Sequence, residues 1–325
     1  MRVWVVGGAG YIGSHVCKAL RAAGHEPVVF DNLSTGRREN LPADVALQVG
    51  DILDTAALRA AASEGRFDGV VHLAALKAAG ESMLEPEKFG RHNITGSLNL
   101  LEAVAAAGIP ALVFSSTAAV YGAPEYLPLD ENHPTRPENY YGHTKLVIEG
   151  LLDWHGRLRG FRHVALRYFN AAGYDPDGEI TGLEKNPANL LPVVMETAAG
   201  LRASMQVFGN DYDTPDGSGV RDYVHVSDLA DAHVRALEHL HRGGGNLTLN
   251  LGTGAGISVL EMIRRAEEIT GHKVPHTIVG RRAGDAGAVV ASALLAEKVL
   301  GWRARHSDLD TLLKTTWNAY KANAK

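Results

Sequence analysis

The sequence predicts an α/β protein built on a doubly wound parallel sheet, with a smaller C-terminal α/β lobe. Three observations carry that prediction. Short apolar strands alternate with helical segments through the first half, the pattern of a parallel sheet with helices on both faces. Gly7, Gly10 and Gly13, spaced G-x-x-G-x-x-G, separate the first strand from the first helix. An acid, Asp31, then closes the second strand about twenty residues further on, as in Rossmann-like dinucleotide folds.

The composition fits a soluble globular chain. Its 325 residues are 45% hydrophobic and 21% charged, with a formal net charge of -5. That length buries a sizeable core, and the charge offers no footprint for nucleic acid or a membrane surface. One cysteine, Cys17, excludes an internal disulfide or a cysteine metal site and reads as buried packing on the first helix. The fifteen histidines include no His-Glu-x-x-His or similar pairing, so no metal is expected. The chain runs straight into a strand, with no signal peptide and no apolar run long enough to span a bilayer, so it reads as cytoplasmic.

Residues 3–6 form the first strand and residues 12–23 an amphipathic helix. The glycine turn between them lets the backbone approach a pyrophosphate at the helix N-terminus. The second strand, residues 27–30, delivers Asp31, which suits two ribose hydroxyls and repels a 2'-phosphate; NAD is therefore expected before NADP. The third strand, residues 45–49, ends near Asp51 and Ile52, a position suited to an adenine. The fourth, residues 69–73, runs into Ala74, Ala75, Leu76 and Lys77, where small residues leave room for a cofactor. One long helix over 85–107 holds His92 and Asn93 in its middle. The fifth strand, residues 111–114, ends at Ser115, Ser116 and Thr117. All of these except the His92/Asn93 pair fall at carboxyl ends of strands, where an open α/β sheet binds its ligand.

Residues 121–139 read as a loop leading to Tyr141 and a helix to residue 159. Tyr141 and Lys145 are four apart and share a helical face, whereas Tyr140 is out of register with the lysine. A free phenol has a pKa of about 10, and a neighbouring cation is expected to lower it toward the range of a proton shuttle. The strand over 163–167 ends at Tyr168, Phe169 and Asn170. Residues 1–172 are read as the cofactor domain, with a returning segment near 224–250, and residues 173–325 as the smaller lobe. In that lobe an irregular run covers 173–189, followed by a helix at 190–199, a strand at 206–208 and turns over 209–219. Residues 221–225 are extended, Ser227 caps a helix to 241, residues 246–251 form a strand, and Ser258 caps the next helix. A loop at 281–285 and a helix from about 308 complete the chain.

Gly7-x-x-Gly10-x-x-Gly13, Asp31, the Ala74-Ala75 turn, Thr117 and Tyr141-x-x-x-Lys145 together resemble the extended short-chain dehydrogenase/reductase superfamily. The second half extends the resemblance over the whole chain. It contributes Leu166-Arg-Tyr-Phe-Asn170, Phe208-Gly-Asn-Asp-Tyr212, Gly219-Val-Arg-Asp-Tyr-Val-His225, Asp228-Leu-Ala-Asp231 and Arg281-Arg-Ala-Gly-Asp285. Within the superfamily the chain is most similar to enzymes that invert C4 of a UDP-hexose.

The resemblance implies roles residue by residue. Gly7, Gly10, Tyr11, Ile12 and Gly13 would line the NAD pyrophosphate, with Asp31, Asn32, Ser34, Thr35 and Gly36 on the ribose side. Asp51 and Ile52 would flank the adenine. Leu73, Ala74, Ala75, Lys77, His92, Asn93 and Phe169 would border the rest of the cofactor. His92 departs from the usual pair of asparagines there, and Val6 stands where a threonine usually precedes the glycine turn. Thr117, Tyr141 and Lys145 would be catalytic: Tyr141 takes the 4-hydroxyl proton through Thr117, C4 gives a hydride to tightly bound NAD, and a transient 4-keto sugar turns over. Asn170, Asn189, Leu190, Val207, Phe208, Arg221, Tyr223, Arg282, Asp285 and Val289 would hold the UDP-sugar, the arginine forks matching phosphate oxygens. Val289 stands where the family often has a tyrosine, which extends the expected range from UDP-glucose/UDP-galactose to the N-acetylated pair. A homodimer through a four-helix bundle, from the helices over 85–107 and 141–159, is also implied.

Other readings are weaker on the residues. A dehydratase or decarboxylase needs carboxylates beside the threonine, where this chain has Ala118 and Ala119. A plain NAD-dependent reductase does not need the long nucleotide-binding second half. A non-catalytic NAD sensor tends to lose the Tyr/Lys pair, which is present here.

Overall fold

The computed structural model describes residues 1–184, 187, 189–282 and 284–323. Its first half alternates strand and helix. β1 (Arg2–Val6) leads to α1 (Tyr11–Ala22), then β2 (Glu26–Asp31), β3 (Ala46–Val49), α2 (Thr55–Gly65) and β4 (Gly69–His72). Short helices α3 (Ala79–Ser82) and α4 (Pro86–Phe89) precede α5 (Gly96–Ala106), after which come β5 (Ala111–Thr117), α6 (Tyr140–Arg159) and β6 (Arg162–Tyr168). The second half holds β7 (Asn170–Ala172), α7 (Leu190–Ala198), β8 (Met205–Phe208), β9 (Val220–His225), α8 (Val226–His241) and β10 (Leu247–Leu251). It ends with β11 (Gly256–Ser258), α9 (Val259–Thr270), β12 (His276–Val279), β13 (Ala288–Val289), α10 (Leu294–Leu300) and α11 (Leu309–Asn323).

Seven parallel strands form the main sheet in the order β3-β2-β1-β4-β5-β6-β10. Side chains alternate across it with the two-residue period of a strand. Val3 and Val5 of β1 join one apolar layer, which holds α1 and α8 against the sheet. Trp4 and Val6 join the opposite layer, which gathers α2, α5 and α6. Cys17 is fully buried in the first layer, in keeping with its sequence assignment. The strand order reverses between β1 and β4, and that switch point opens a crevice at the carboxyl ends. β10 reaches this sheet only after the chain has entered the second lobe and come back.

The second lobe centres on β9, paired antiparallel with β11 and parallel with β7 and β13. A separate parallel pair joins β8 to β12. A third apolar cluster, including Leu191, Met195, Val207, Tyr223, Met262 and Leu312, supports these strands. The described residues of 173–184 carry no helix or strand. Residues 185, 186 and 188 of the expected irregular run, and Ala283 of the 281–285 loop, lie outside the described residues.

Two local expectations are corrected. The helix expected over 85–107 is interrupted: Pro86 starts α4, residues Gly90–Thr95 are π-helical, and α5 follows. The wider π turn carries Asn93 inward, and such bulges recur at functional sites. Ser227 does not cap the helix after β9. The strand passes directly into α8, and buried His225 caps it through Nδ1, which accepts from the Ser227 N–H at 3.1 Å. The short strands β7, β11, β12 and β13 leave no signal in the sequence, since two to four residues carry too little periodicity. Among the described residues no helix is long and apolar enough to cross a membrane.

Candidate active site

The glycine turn sits at the switch point. Gly7 has φ +87, and a Cβ there would lie 2.5 Å from the Ala74 nitrogen, so only glycine lets β1 turn beside the end of β4. Ala74 N–H and Leu73 N–H both donate to the Val6 carbonyl, at 3.0 and 2.8 Å, drawing the β4 exit to the same point. α1 begins after Gly10 with no side chain capping its first turn, which leaves backbone donors for an anion.

Asp31, at the end of β2, is buried and ties the turn to its own strand. One carboxylate oxygen accepts from Ala9 N–H at 3.0 Å and the other from Leu33 N–H at 2.8 Å. Each oxygen keeps a further lone pair for a ribose hydroxyl. Burial raises its pKa above the ordinary value, against the pull of those two backbone donors. Asn32 donates to Asp51 Oδ2 at 2.8 Å, linking the rims of β2 and β3, while Ile52 is buried beneath. Ser34 and Thr35 are exposed and Gly36 is half-buried on the same rim. These features form a cradle that fits a dinucleotide: a close-approach turn, free helix donors and an acid beside the second strand.

Asn93, expected beside the cofactor, sits in the π turn that faces the β4 exit. It is fully buried, accepts from Leu76 N–H at 2.8 Å, and donates to the Leu76 carbonyl and Thr144 Oγ1, both at 3.0 Å. It therefore fastens the β4 exit loop to α6. His92 beside it is half-buried, Ala75 is half-buried on the loop, and Lys77 forms an ion pair with Glu184 across to the second lobe. Tyr11 also crosses, donating its hydroxyl hydrogen bond to the Gly173 carbonyl.

α6 presents Tyr141 and Lys145. Asn139 caps it by accepting from Gly142 N–H at 2.8 Å. A Cβ on Gly142 would lie 2.4 Å from the Ala119 carbonyl, so the absent side chain lets α6 press against the turn that follows Thr117. The Tyr141 N–H donates to buried Ser82 Oγ at 3.0 Å, and the Tyr141 phenol shares a hydrogen bond with Thr117. The sequence offered no signal for Ser82 in this place. Tyr140 points elsewhere: a Cβ on Gly90 would meet its hydroxyl at 3.0 Å.

The electrostatics correct one expectation. Burial pushes the Tyr141 phenol up to about 12, and the Thr117 hydrogen bond offsets only part of the rise. Lys145 does not pull it down as expected, because that amine is itself buried and pushed down to about 7, with Glu149 restoring a little. Lys145 Nζ donates to the Ser115 carbonyl at 2.8 Å, and lies 4.8 Å from the Phe114 ring centroid and 5.9 Å from that of Tyr141. In the unfolded chain the amine keeps its proton to about pH 10.4. Its folded pKa is depressed, so burying it costs stability below about pH 7, and the cost fades as pH rises toward the unfolded value. Lys145→Met should therefore raise the unfolding midpoint most at pH 6, with the gap closing toward pH 10. A gap independent of pH would show that the amine is not desolvated.

A second group of charges lies in the C-terminal lobe. Arg221 on β9 approaches Asp285 at 3.9 Å, and Arg282 reaches the same carboxylate at 3.1 and 3.2 Å. The Arg282 guanidinium lies 5.1 Å from the exposed Phe208 ring, and Val207 packs beneath. Buried Asp222 steadies this region, accepting from Thr253, Gly254 and Ala291 N–H groups, while its carbonyl accepts from Asn170 Nδ2 at 3.0 Å. Val289 pairs in register with Arg221 and packs on the cluster of Val120, Tyr121 and Phe169, which Ala118 also joins. Asn189 and Leu190 start α7 at the lobe junction, and Tyr223 is buried in the lobe core.

The switch-point cradle and the Thr117–Tyr141–Lys145 group define a dinucleotide-dependent enzyme site of the short-chain dehydrogenase/reductase kind. The family model for the NAD dependent epimerase/dehydratase family matches residues 3–252. The chain belongs to that family. A UDP-glucose 4-epimerase of Lacticaseibacillus casei is 44% identical over 98% of this chain and 96% of its own length. The structure of UDP-glucose 4-epimerase from Brucella ovis in complex with NAD superposes with a TM-score of 0.95 at 45% identity, covering 97% of each chain. That of the Bifidobacterium longum enzyme in complex with NAD+ and UDP gives 0.93 at 39% identity, covering 100% of this chain and 99% of the other.

Proposed function

We infer that this protein inverts C4 of a UDP-hexose, the reaction of a UDP-glucose 4-epimerase, with NAD as its resident cofactor. One connection carries the reading. The apolar cluster around Phe169 takes in Ala118 and Leu146, next in the chain to Thr117 and Lys145, and Val289, which pairs in register with Arg221 of the arginine pair around Asp285. Proton chemistry is thereby set beside a diphosphate grip.

NAD, when bound, would supply the hydride acceptor and donor that inversion at C4 of the sugar needs. Gly7, Gly10, Tyr11, Ile12 and Gly13 hold its pyrophosphate, Asp31 with the 32–36 rim holds a ribose, and Asp51 with Ile52 borders the adenine. Leu73, Ala74, Ala75, Lys77 and His92 line its remaining length, and Asn93 supports them by pinning Leu76. Tyr141 removes and restores the 4-hydroxyl proton, with Thr117 bridging it to the sugar. Lys145 sets the local field. Arg221 and Arg282 bind the diphosphate, and Asp285 orients both forks until it arrives. Asn170, Asn189, Leu190, Val207, Phe208 and Tyr223 complete the nucleotide pocket. Firm anchoring of the UDP leaves the hexose free to turn over. Ala118 and Ala119 after Thr117 supply no acid–base pair for dehydration.

The same reading divides the chain near residue 172, with 224–250 returning, and β10 on the main sheet supports that division. It also makes the protein a cytoplasmic homodimer through a four-helix bundle of α5, α6 and their mates. Trp154 and Leu158, four apart on α6 and 60% and 71% exposed, support such a pairing face.

Val289 sets the sugar range: smaller than the tyrosine the family often has there, it would admit a 2-acetamido group. Protein incubated without added NAD should convert UDP-galactose to UDP-glucose and UDP-GalNAc to UDP-GlcNAc. Val289→Tyr should lower kcat/KM on the N-acetylated pair roughly tenfold or more while sparing the plain pair. Failure on both pairs would sink the epimerase reading, and failure on the N-acetylated pair alone would sink the role of Val289.

A further inference from the structure

Two sequence motifs hold residues that the reaction leaves without a role: Asp211 and Tyr212 after Phe208, and Arg281 before Arg282. The fold brings them together across 70 residues of chain. Arg281 Nε donates to Asp211 Oδ1 at 2.8 Å, and its Nη2 donates to the Asp211 carbonyl. The guanidinium lies 4.2 Å from the Tyr212 ring centroid, so one residue later Arg282 repeats the arrangement over Phe208. Tyr212 is 8% exposed and tightly wedged. A Cβ on Gly209 would meet its ring at 2.7 Å and Arg281 Cγ at 2.9 Å, and one on Gly287 would meet the ring at 3.3 Å. Both ends of the loop are tied as well: Gly209 N–H donates to the Val279 carbonyl at 2.9 Å, and Val220 N–H to that of Gly287 at 2.8 Å.

We propose that Arg281, clasped by Asp211 and Tyr212, is a positioning residue for the nucleotide grip. It holds the loop between β12 and β13 so that Arg282 and Asp285 face Arg221 across a nucleoside diphosphate. The proposal rests on the UDP-hexose reading above. The Arg281 and Asp211 side chains are 46% and 68% exposed, and such a pair contributes little to folding by itself. Its consequence falls on where the adjacent arginine fork points, because small misplacements of positioning groups weaken what they align.

Calorimetry of UDP binding to the NAD-loaded protein tests this, alongside epimerisation kinetics. Arg281→Ala should weaken UDP binding roughly five- to thirtyfold. KM for the UDP-sugar should rise in step, with kcat, NAD content and melting temperature held. Arg281→Lys keeps the charge but loses the planar fork, so it should restore only part of the affinity. Asp211→Asn separates positioning from direct charge attraction. Removing an acid near a dianion tightens binding if Arg281 simply attracts UDP, and weakens it if Asp211 aims the loop. Tighter binding in Asp211→Asn, or parental binding in Arg281→Ala, overturns the proposal. A fall in melting temperature that accounts for the lost affinity does so too. A parent protein with no affinity for UDP overturns the UDP reading itself, and this role with it.

Discussion

Tyr141→Phe should lower the epimerisation rate by roughly a hundred- to ten-thousandfold, the range for a positioned proton-transfer group. NAD content and UDP affinity should stay near parental values. The substitution removes one oxygen from a ring already fixed by its surroundings. The Tyr141 backbone is held by Ser82, the helix start by Asn139, and α6 against the 118–120 turn by the missing side chain of Gly142. None of these contacts uses the phenol, so the fold and the cofactor cradle lose nothing. Thr117 loses its hydrogen bond to the phenol and keeps the one it accepts from Ala119 N–H, and the sugar hydroxyl loses its route to a base. With the phenol pushed up to about 12, the parental rate should also climb as pH rises through the neutral range, because the phenolate fraction grows. Tyr141→Phe should lose that climb. Near-normal turnover in this variant, measured as UDP-glucose formed from UDP-galactose, would remove Tyr141 from the chemistry.

Glu149→Ala should cost about 3–5 kcal/mol of folding stability, the usual result of leaving one buried charge without its partner. Glu149 and Arg167 are both buried and meet through two hydrogen bonds, Nε to Oε1 at 2.9 Å and Nη2 to Oε2 at 2.6 Å. Ser116 Oγ donates to the same carboxylate, and Arg167 Nη1 donates to the Tyr121 hydroxyl at 3.1 Å. The Tyr121 hydroxyl in turn donates to Asn250 Oδ1 at 2.7 Å, so the network joins α6, β5, β6 and β10 beneath the active site. The lost carboxylate strands a guanidinium whose side chain is only 9% exposed. Replacing both partners, Glu149→Met with Arg167→Met, should recover most of the loss, since the pair repays little beyond its own desolvation. Urea unfolding decides the matter. A single variant within about 1 kcal/mol of the parent, or a double variant worse than the single, would contradict the argument. Glu149 also lies one helical turn beyond Lys145 and raises its pKa, so the variant should shift the pH profile of activity.

Much of this was readable in the chain because it is local. The alternation Val3-Trp4-Val5-Val6 contains the two faces of β1, and the three glycines, Asp31 and the Tyr141/Lys145 spacing each report a turn or a helix within a few residues. The Ser258 cap was legible for the same reason, and the structure completes it as a capping box with Glu261. The Ser227 cap failed because the start of α8 depends on how β9 runs into it, and His225 is aimed by its packing rather than by its type. The long helix over 85–107 failed for a related reason. Its π turn exists to carry Asn93 to Leu76 and Thr144, and those partners are 17 and 51 residues away.

By itself, then, the sequence determined the class of sheet, the place of the glycine turn and the shared helical face of Tyr141 and Lys145. Those depend on spacing, and spacing is a property of adjacent residues. Only the tertiary structure decided the environment of those groups. Burial pushes Tyr141 up and Lys145 down, reversing the simple expectation of a cation acidifying its neighbour. It also decided which distant side chains hold them: Ser82 behind Tyr141, Asn93 behind α6, and Arg281 behind Arg282. Desolvation and long-range hydrogen bonding belong to the packed chain, because both depend on what the rest of the molecule places around a residue.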